Sequence, residues 1–349
     1  MPAGTATLQR TPGGDFGWLK KTYTWIPRAG AGQEDSKGER HGHNIIASDY
    51  GYVADSKLAT SPGGNYPASS LHCSSCHDPH GRYRLTAASG TSATFATSGK
   101  TIKGSGSYGS APDSNSAVGA YRLLAGVNYQ PKSLSGSNAF SYAPVVAVAP
   151  STYNRSEADT DTRVAYGKGV SEWCANCHEA LHSFLGSGMV HPAGANLPSE
   201  IVNIYNSYKK TGDLTGTQAT AYLSLVPFQT DNSADITALK NLTTSTQGPV
   251  AGDRIMCLSC HRAHASGFDS MTRFPIGNEF MTVADASGSA VYPDPSVNPA
   301  QAMGRTAAEQ QAGRKGSSIT RLSCASMERG EMFIADRDNS RIQIFTTVK

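Results

Sequence analysis

The sequence predicts a mostly irregular, loop-rich chain, with short α-helices and a few short strands arranged around something other than a large side-chain core. Three observations carry that expectation. Only 16% of the 349 residues are charged and 38% are hydrophobic, against a usual charged share of about 25%. The missing share is small and polar: 36 residues are glycine, with Ser, Thr, Ala and Asn filling the gaps. Most of the chain lacks the 3.6- or 2-residue apolar period of long helices and strands. This composition excludes a coiled coil, a charged disordered tail and a Leu-rich α/β enzyme. No apolar run approaches the ~18 residues of a membrane helix. The formal charge of +3 is too weak to argue for nucleic acid, and no basic run is longer than Lys20-Lys21 or Lys209-Lys210.

Residues 1–86 hold Trp18, Trp25, Tyr50 and Tyr52 with turn signals such as Pro62-Gly63-Gly64. Residues about 87–118 are rich in Ser, Gly and Thr and read as a long surface loop with no means of burying a core. Apolar content returns at Tyr121-Arg122-Leu123-Leu124, and residues Val145 to Val148 predict a short strand. From Ser199, the spacing of Ile201, Ile204, Tyr205 and Tyr208 is i, i+3, i+4, i+7, an amphipathic helix with Ser199 as N-cap after Pro198. Residues 217–225, 234–242 and the Ala-rich 299–313 predict further short helices. The stretch Gly330 to Phe345 holds two apolar runs around Asp336-Arg337-Asp338-Asn339-Ser340, a hairpin signal. It resembles a single NHL propeller repeat. Arrays of such units need about three or more copies, so no propeller is expected. The hairpin would pack on its own chain or pair with the edge of a neighbouring subunit.

The informative feature is cysteine placement. Six of seven cysteines form pairs spaced i, i+3, each followed directly by histidine: Cys73-Ser-Ser-Cys76-His77, Cys174-Ala-Asn-Cys177-His178 and Cys257-Leu-Ser-Cys260-His261. Composition alone predicts about 0.004 such matches. The pattern is the attachment signature of c-type haem. Two thiols one helical turn apart add across the two vinyl groups of a porphyrin, and the adjacent imidazole ligates the iron. Zinc knuckles pair Cys-x-x-Cys with a second pair and need no histidine there. A dithiol redox motif occurs once, near a βαβ pattern. The sequence therefore reads as a three-haem c-type cytochrome organised around its haems, with Cys73, Cys76, Cys174, Cys177, Cys257 and Cys260 binding the cofactor and His77, His178 and His261 as proximal ligands. Residues 1–325 form this region and 326–349 the hairpin tail. Cys324 is left over, read as a buried free thiol or a disulfide to another chain.

Seven further histidines remain, and three six-coordinate irons need only three of them. Every iron can therefore be closed by two imidazoles, which favours electron transfer over substrate binding. His43 and His191 lie in loops away from the motifs and are distal candidates. His80 and His264 each lie three residues after a proximal ligand. They leave the same side of the turn, so they reach only a neighbouring haem. His182 is a weaker candidate, and His41 and His72 weaker still. His41 or His43 could also supply a ligand to a neighbouring subunit. Haem c is attached outside the cytoplasm, and Met1-Pro2-Ala3 opens no charged or apolar leader. That predicts an exported chain whose signal peptide has been removed. Each oxidised haem adds about −1, so the loaded protein is near neutral when oxidised and about −3 when reduced. A near-neutral surface favours association.

The stretches His43-Asn44, Cys73 to Gly81, Ser171-Glu-Trp-Cys-Ala-Asn-Cys-His178, His191-Pro192 and Met256 to His264 resemble the multihaem c-type cytochromes of metal-reducing bacteria, over roughly residues 40–270. The resemblance implies a secreted, bis-His protein that carries electrons to redox partners and external acceptors. Some members polymerise into filaments, the cytochrome nanowires, which usually hold more haems per subunit than three. The expected function is extracellular electron transfer through three haem c groups, as an extracellular or cell-surface homo-oligomer without a membrane span. A monomeric periplasmic carrier is the alternative, and a multihaem reductase a further one. A reductase would need one open iron, against the plentiful spare histidines.

Overall fold

The structure is a computed structural model. It describes residues 12–134, 136, 138–150, 163–182, 191–207, 215–221, 226–231, 233–273, 283–284, 286–287, 290–312, 321–323, 331–336 and 341–346. Loops dominate, punctuated by short helices and small sheets, as the composition leads one to expect. Strands β1 (Tyr23–Trp25) and β2 (Glu34–Ser36) pair antiparallel. Helix α1 (Cys73–Cys76) is the first motif itself.

Within the expected surface loop at 87–118, residues 87–89, 92–96, 101–102 and 116–118 lie in strands, and the rest runs in turns and loops. Strands β3 (Arg84–Ser89), β4 (Ser92–Ala96), β5 (Thr101–Ile102) and β6 (Ser116–Gly119) form one sheet in the order β4-β3-β6-β5. Small residues do not prevent a strand when one face finds cover. Leu85 and Val118 are buried, and Ala93 and Phe95 pack beside them. Gly90, at a φ of +54°, allows the two-residue turn between Ser89 and Ser92.

Strands β7 (Ala147–Val148) and β8 (Ala165–Tyr166) pair antiparallel. The run around β7 is buried on both sides, and its period of two sorts it. Val146 and Val148 pack with Leu85, Val118, Ile236 and Leu239, the last two from the helix at Ile236–Leu242. Val145, Ala147 and Ala149 pack with Val170, Tyr166 and Met256. Val170 opens helix α2 (Val170–Cys174), which delivers the second motif, and Met256 precedes the third. One apolar strand thus anchors two motifs.

Helix α3 (Ser199–Ser207) buries Ile201, Val202 and Tyr205 against Leu197, Val226, Phe228 and Ile255; Ile204 is partly buried there, and Tyr208 lies outside the described residues. Helix α4 (Ile236–Leu242) is capped by Asp235, whose carboxylate accepts the N–H groups of Thr237 and Ala238. Of 217–225, only a 3₁₀ turn at Gln218–Thr220 is described as helical. Helix α5 (Cys257–Cys260) is the third motif. The stretch 299–313 holds two helices, Pro299–Ala302 and Ala307–Ala312, broken where Met303 takes a φ of +52°. In the tail, Glu331–Asp336 and Arg341–Thr346 form the expected antiparallel hairpin, and Arg321–Ser323 adds a third strand from before the 325/326 boundary. Cys324 lies outside the described residues. Among them, no helix is long and apolar enough to cross a membrane.

Candidate haem-binding site

Each motif is a single helical turn closed by its own histidine. The backbone N–H of His77 donates to Cys73 O at 3.0 Å, that of His178 to Cys174 O at 3.1 Å and that of His261 to Cys257 O at 2.9 Å. One turn brings residues i and i+3 to the same edge, so both cysteines of a motif share a side. In the first and third motifs the inner serine fixes where the turn starts. Ser75 Oγ accepts the His72 N–H at 2.9 Å and Ser259 Oγ accepts the Met256 N–H at 3.2 Å. Each hydroxyl then donates to a carbonyl, Ser70 O at 3.1 Å and Pro227 O at 2.6 Å.

All three motifs open on one cavity of about 1630 Å³. A single cofactor site occupies roughly 300–1,000 Å³, so this space holds more than one. Its wall includes His77, His178 and His261, and also His43, His182, His191 and His264. The second motif lies between the others. The thiols of Cys174 and Cys257 lie close enough to couple, which holds Cys174 up and Cys257 down from the usual thiol range. Burial, with Cys76 adding to it, pushes Cys177 up to about 12, and burial does the same to Cys76. Cys73 is exposed. Cys260 is disulfide-bonded in this structure, so its sulfur becomes available for a thioether once that bond is reduced.

The imidazoles are oriented by backbone carbonyls. Nδ1 of His77 lies 2.8 Å from Arg122 O, of His178 2.8 Å from Pro62 O, of His261 2.8 Å from Ser270 O and of His43 2.8 Å from Ala263 O. A carbonyl only accepts, so Nδ1 carries the hydrogen and the Nε2 lone pair is left for a metal. His264 is held in the same way by the backbone of Gly14. Burial pulls His43 and His264 down to about 4. It lowers His77, His178 and His261 as well. All five are therefore neutral near pH 7, the form that ligates.

Two imidazole pairs face each other across the cavity. The rings of His43 and His178 have centroids 5.9 Å apart, and those of His77 and His264 6.4 Å apart. Two imidazoles on one metal, each bond about 2 Å, place the ring centroids about 6 Å apart. His261 belongs to neither pair. His191 is the first of the charges that lower it, and His191 Nδ1 is buried without a hydrogen-bond partner among the described residues. His182, 1% exposed, bridges to His191 through the backbone. Free Nε2 atoms, metal-sized gaps, an orphaned imidazole nitrogen and a large cavity together fit haem c.

The remaining histidines stand elsewhere. His80 is exposed and outside the cavity wall; Asp78 accepts its backbone N–H and turns it outward. His72 binds Ile46 O through Nδ1 at 3.0 Å, also outside the wall. His41 is fully buried between Trp18 O at 3.1 Å and Ser36 Oγ at 2.9 Å. His43 faces His178 of its own chain. The carbonyls of Arg122, Pro62, Ser270 and Ala263 had no signature in the sequence, because any residue supplies one.

Three Cys-x-x-Cys-His turns converging on one imidazole-lined cavity define the class: a multihaem c-type cytochrome. No protein-family model matches the chain. The C-type cytochrome OmcS of Geobacter sulfurreducens is 58% identical over 322 residues, which cover 89% of this chain and 72% of OmcS. The cryo-EM structure of the OmcS nanowires from Geobacter sulfurreducens matches with a TM-score of 0.81 at 57% identity, covering 91% of this chain and 78% of that one. A structure of the Outer Membrane Cytochrome S filament from the same organism matches at 0.80 and 56% identity, with the same coverage. The chain belongs to the OmcS family of c-type cytochromes.

Proposed function

We propose that the chain is a subunit of an extracellular cytochrome filament that passes electrons through three covalently bound haem c groups. The observation that carries this reading is the pair of facing imidazole couples, His77 with His264 and His178 with His43, in a cavity shared by three attachment motifs. Bound haem supplies one-electron chemistry between Fe(III) and Fe(II). The chain's own residues hold and tune it. The six motif cysteines would tether it, His77, His178 and His261 would ligate from the motif side, and His264 and His43 would close two of the sites. His191, which lines the same cavity, would serve His261.

An iron held by two imidazoles would have no position left for a substrate, which favours electron carriage over catalysis. The carbonyl acceptors behind each imidazole fix its tautomer and strengthen it as a ligand. Assembly with further copies follows from kinship with the OmcS nanowires. Residues 1–325 are the haem-bearing region, and the hairpin of 326–349 is a surface for pairing within or between subunits.

Intact mass of the exported protein tests the reading. An excess of about three times 616 Da is expected. An excess of two or fewer haems would remove a motif from the set, and none would overturn the proposal. Negative-stain microscopy should show filaments, whereas a uniform monomer-sized particle would mark a soluble carrier.

A further inference from the structure

We infer that Phe16 is a positioning residue for the His264 imidazole, and that through it Phe16 sets the ligand-plane orientation and the redox potential at the first motif. This rests on the ligand role proposed for His264. Phe16 is 6% exposed. Its ring stacks on the His264 ring, with centroids 4.6 Å apart and planes 24° from parallel. It also meets Tyr52 in an edge-to-face contact, with centroids 6.3 Å apart. The phenyl is thus a plate held against a proposed metal ligand, with a tyrosine beside it. Among the described residues, no other proposed ligand has an aromatic side chain stacked on its face.

The chain around Phe16 is built to keep it there. The His264 N–H donates to Gly13 O at 2.7 Å, and the Asp15 N–H donates to Ala265 O at 3.2 Å. A Cβ on Gly13 would sit 3.3 Å from His264 Nδ1, so backbone and imidazole are already in close approach. Asp15 then caps the 3₁₀ turn Phe16–Lys20, its carboxylate accepting the Gly17 N–H at 2.7 Å. That cap fixes the direction in which Phe16 leaves the chain.

An axial imidazole rotates easily about its metal–nitrogen bond. A phenyl on one face and a hydrogen bond at Nδ1 remove that freedom. The angle between the two imidazole planes sets the orbital splitting of a low-spin ferric iron, which electron paramagnetic resonance reads directly. The phenyl also keeps water from the ligand, and water stabilises the positively charged ferric iron centre over the neutral ferrous one. Loss of the plate should therefore lower the potential of this haem alone.

The test compares the loaded wild type with Phe16→Leu, Phe16→Tyr and His264→Met. Haem content is checked by mass, ligation by paramagnetic resonance and potentials by spectroelectrochemical titration. Phe16→Leu, which keeps apolar volume but no plane, is expected to change one of the g-value sets and lower one midpoint. Phe16→Tyr is expected to retain both wild-type values. An unchanged Phe16→Leu spectrum and potential would overturn the inference, as would a Phe16→Tyr variant that shifts as far as Phe16→Leu. His264→Met tests the ligand itself. If every iron keeps its two-imidazole signature there, the ligand assignment fails, whatever the Phe16 variants show.

Discussion

Nδ1 of His43 donates to the carbonyl oxygen of Ala263 at 2.8 Å, and Ala263 immediately precedes His264. The His43 N–H also donates to His264 O at 2.9 Å. Two proposed ligands for two different haems are therefore stitched to one short segment. A displacement of residues 263–265 moves both, so the first and second haem sites share a mechanical support.

His43→Ala removes the imidazole facing His178. One of the three irons should become high-spin, while the other two keep low-spin signals. Magnetic circular dichroism on the purified protein counts the spin states. Three low-spin irons in this variant would eliminate His43 as a ligand.

His41, two residues away, should behave in the opposite manner. Its ring lies between Trp18 O and Ser36 Oγ, and Ser36 in turn donates to Asp269 at 2.6 Å. His41→Gln leaves some of these buried groups unsatisfied, at a cost of about 1–3 kcal/mol. The melting temperature should fall while the haem spectrum stays unchanged. A spectral change with unaltered stability would assign His41 to the redox site instead.

How much of this was legible beforehand depended on the kind of signal. The motif cysteines and proximal histidines were legible because covalent attachment demands fixed spacing. The loop-rich character followed from composition. The helix from Ser199 and the hairpin after Gly330 followed from period and turn chemistry. The sheet at 84–119 was not legible, because Ser, Thr and Ala carry little apolar contrast and the burying partners come from residues 146–148 and 236–239. His43 and His264 could be nominated but not matched to the imidazoles they face, since pairing across some 135 and 187 residues is a tertiary fact. His80 and His264 have the same offset from their motifs, and only the surroundings separate them: Asp78 turns one outward, while Gly13 and Phe16 receive the other.

Leu239 is fully buried between β7 and the sheet of residues 84–119. Leu239→Ala should cost about 2–5 kcal/mol, measured by chemical denaturation. Because the same strand presents Val145 and Ala147 to the motif-bearing helices, the loss should precede haem disorder rather than follow it. A cost under about 1 kcal/mol would show that this cluster does not anchor the motifs.

Gly14 tests the joint between the N-terminal segment and the third-motif loop. Its φ is +81°, and a Cβ there would lie 1.9 Å from Ala265 O, a contact that no side-chain rotation relieves. Gly30 is a control: its φ is +77°, with nothing within 4 Å of the Cβ position. Gly30→Ala should cost only backbone strain, on the order of 1 kcal/mol. Gly14→Ala adds a backbone collision, so residues 12–16 must withdraw from 264–265. Stability should then fall further than in the control, and one haem's paramagnetic signal should change, because Phe16 and the Gly14 carbonyl leave His264 together. Equal stability losses with identical spectra in the two variants would mean that the segment does not grip the ligand. A spectral change confined to Gly14→Ala would show that the glycine is there to let the chain approach the imidazole.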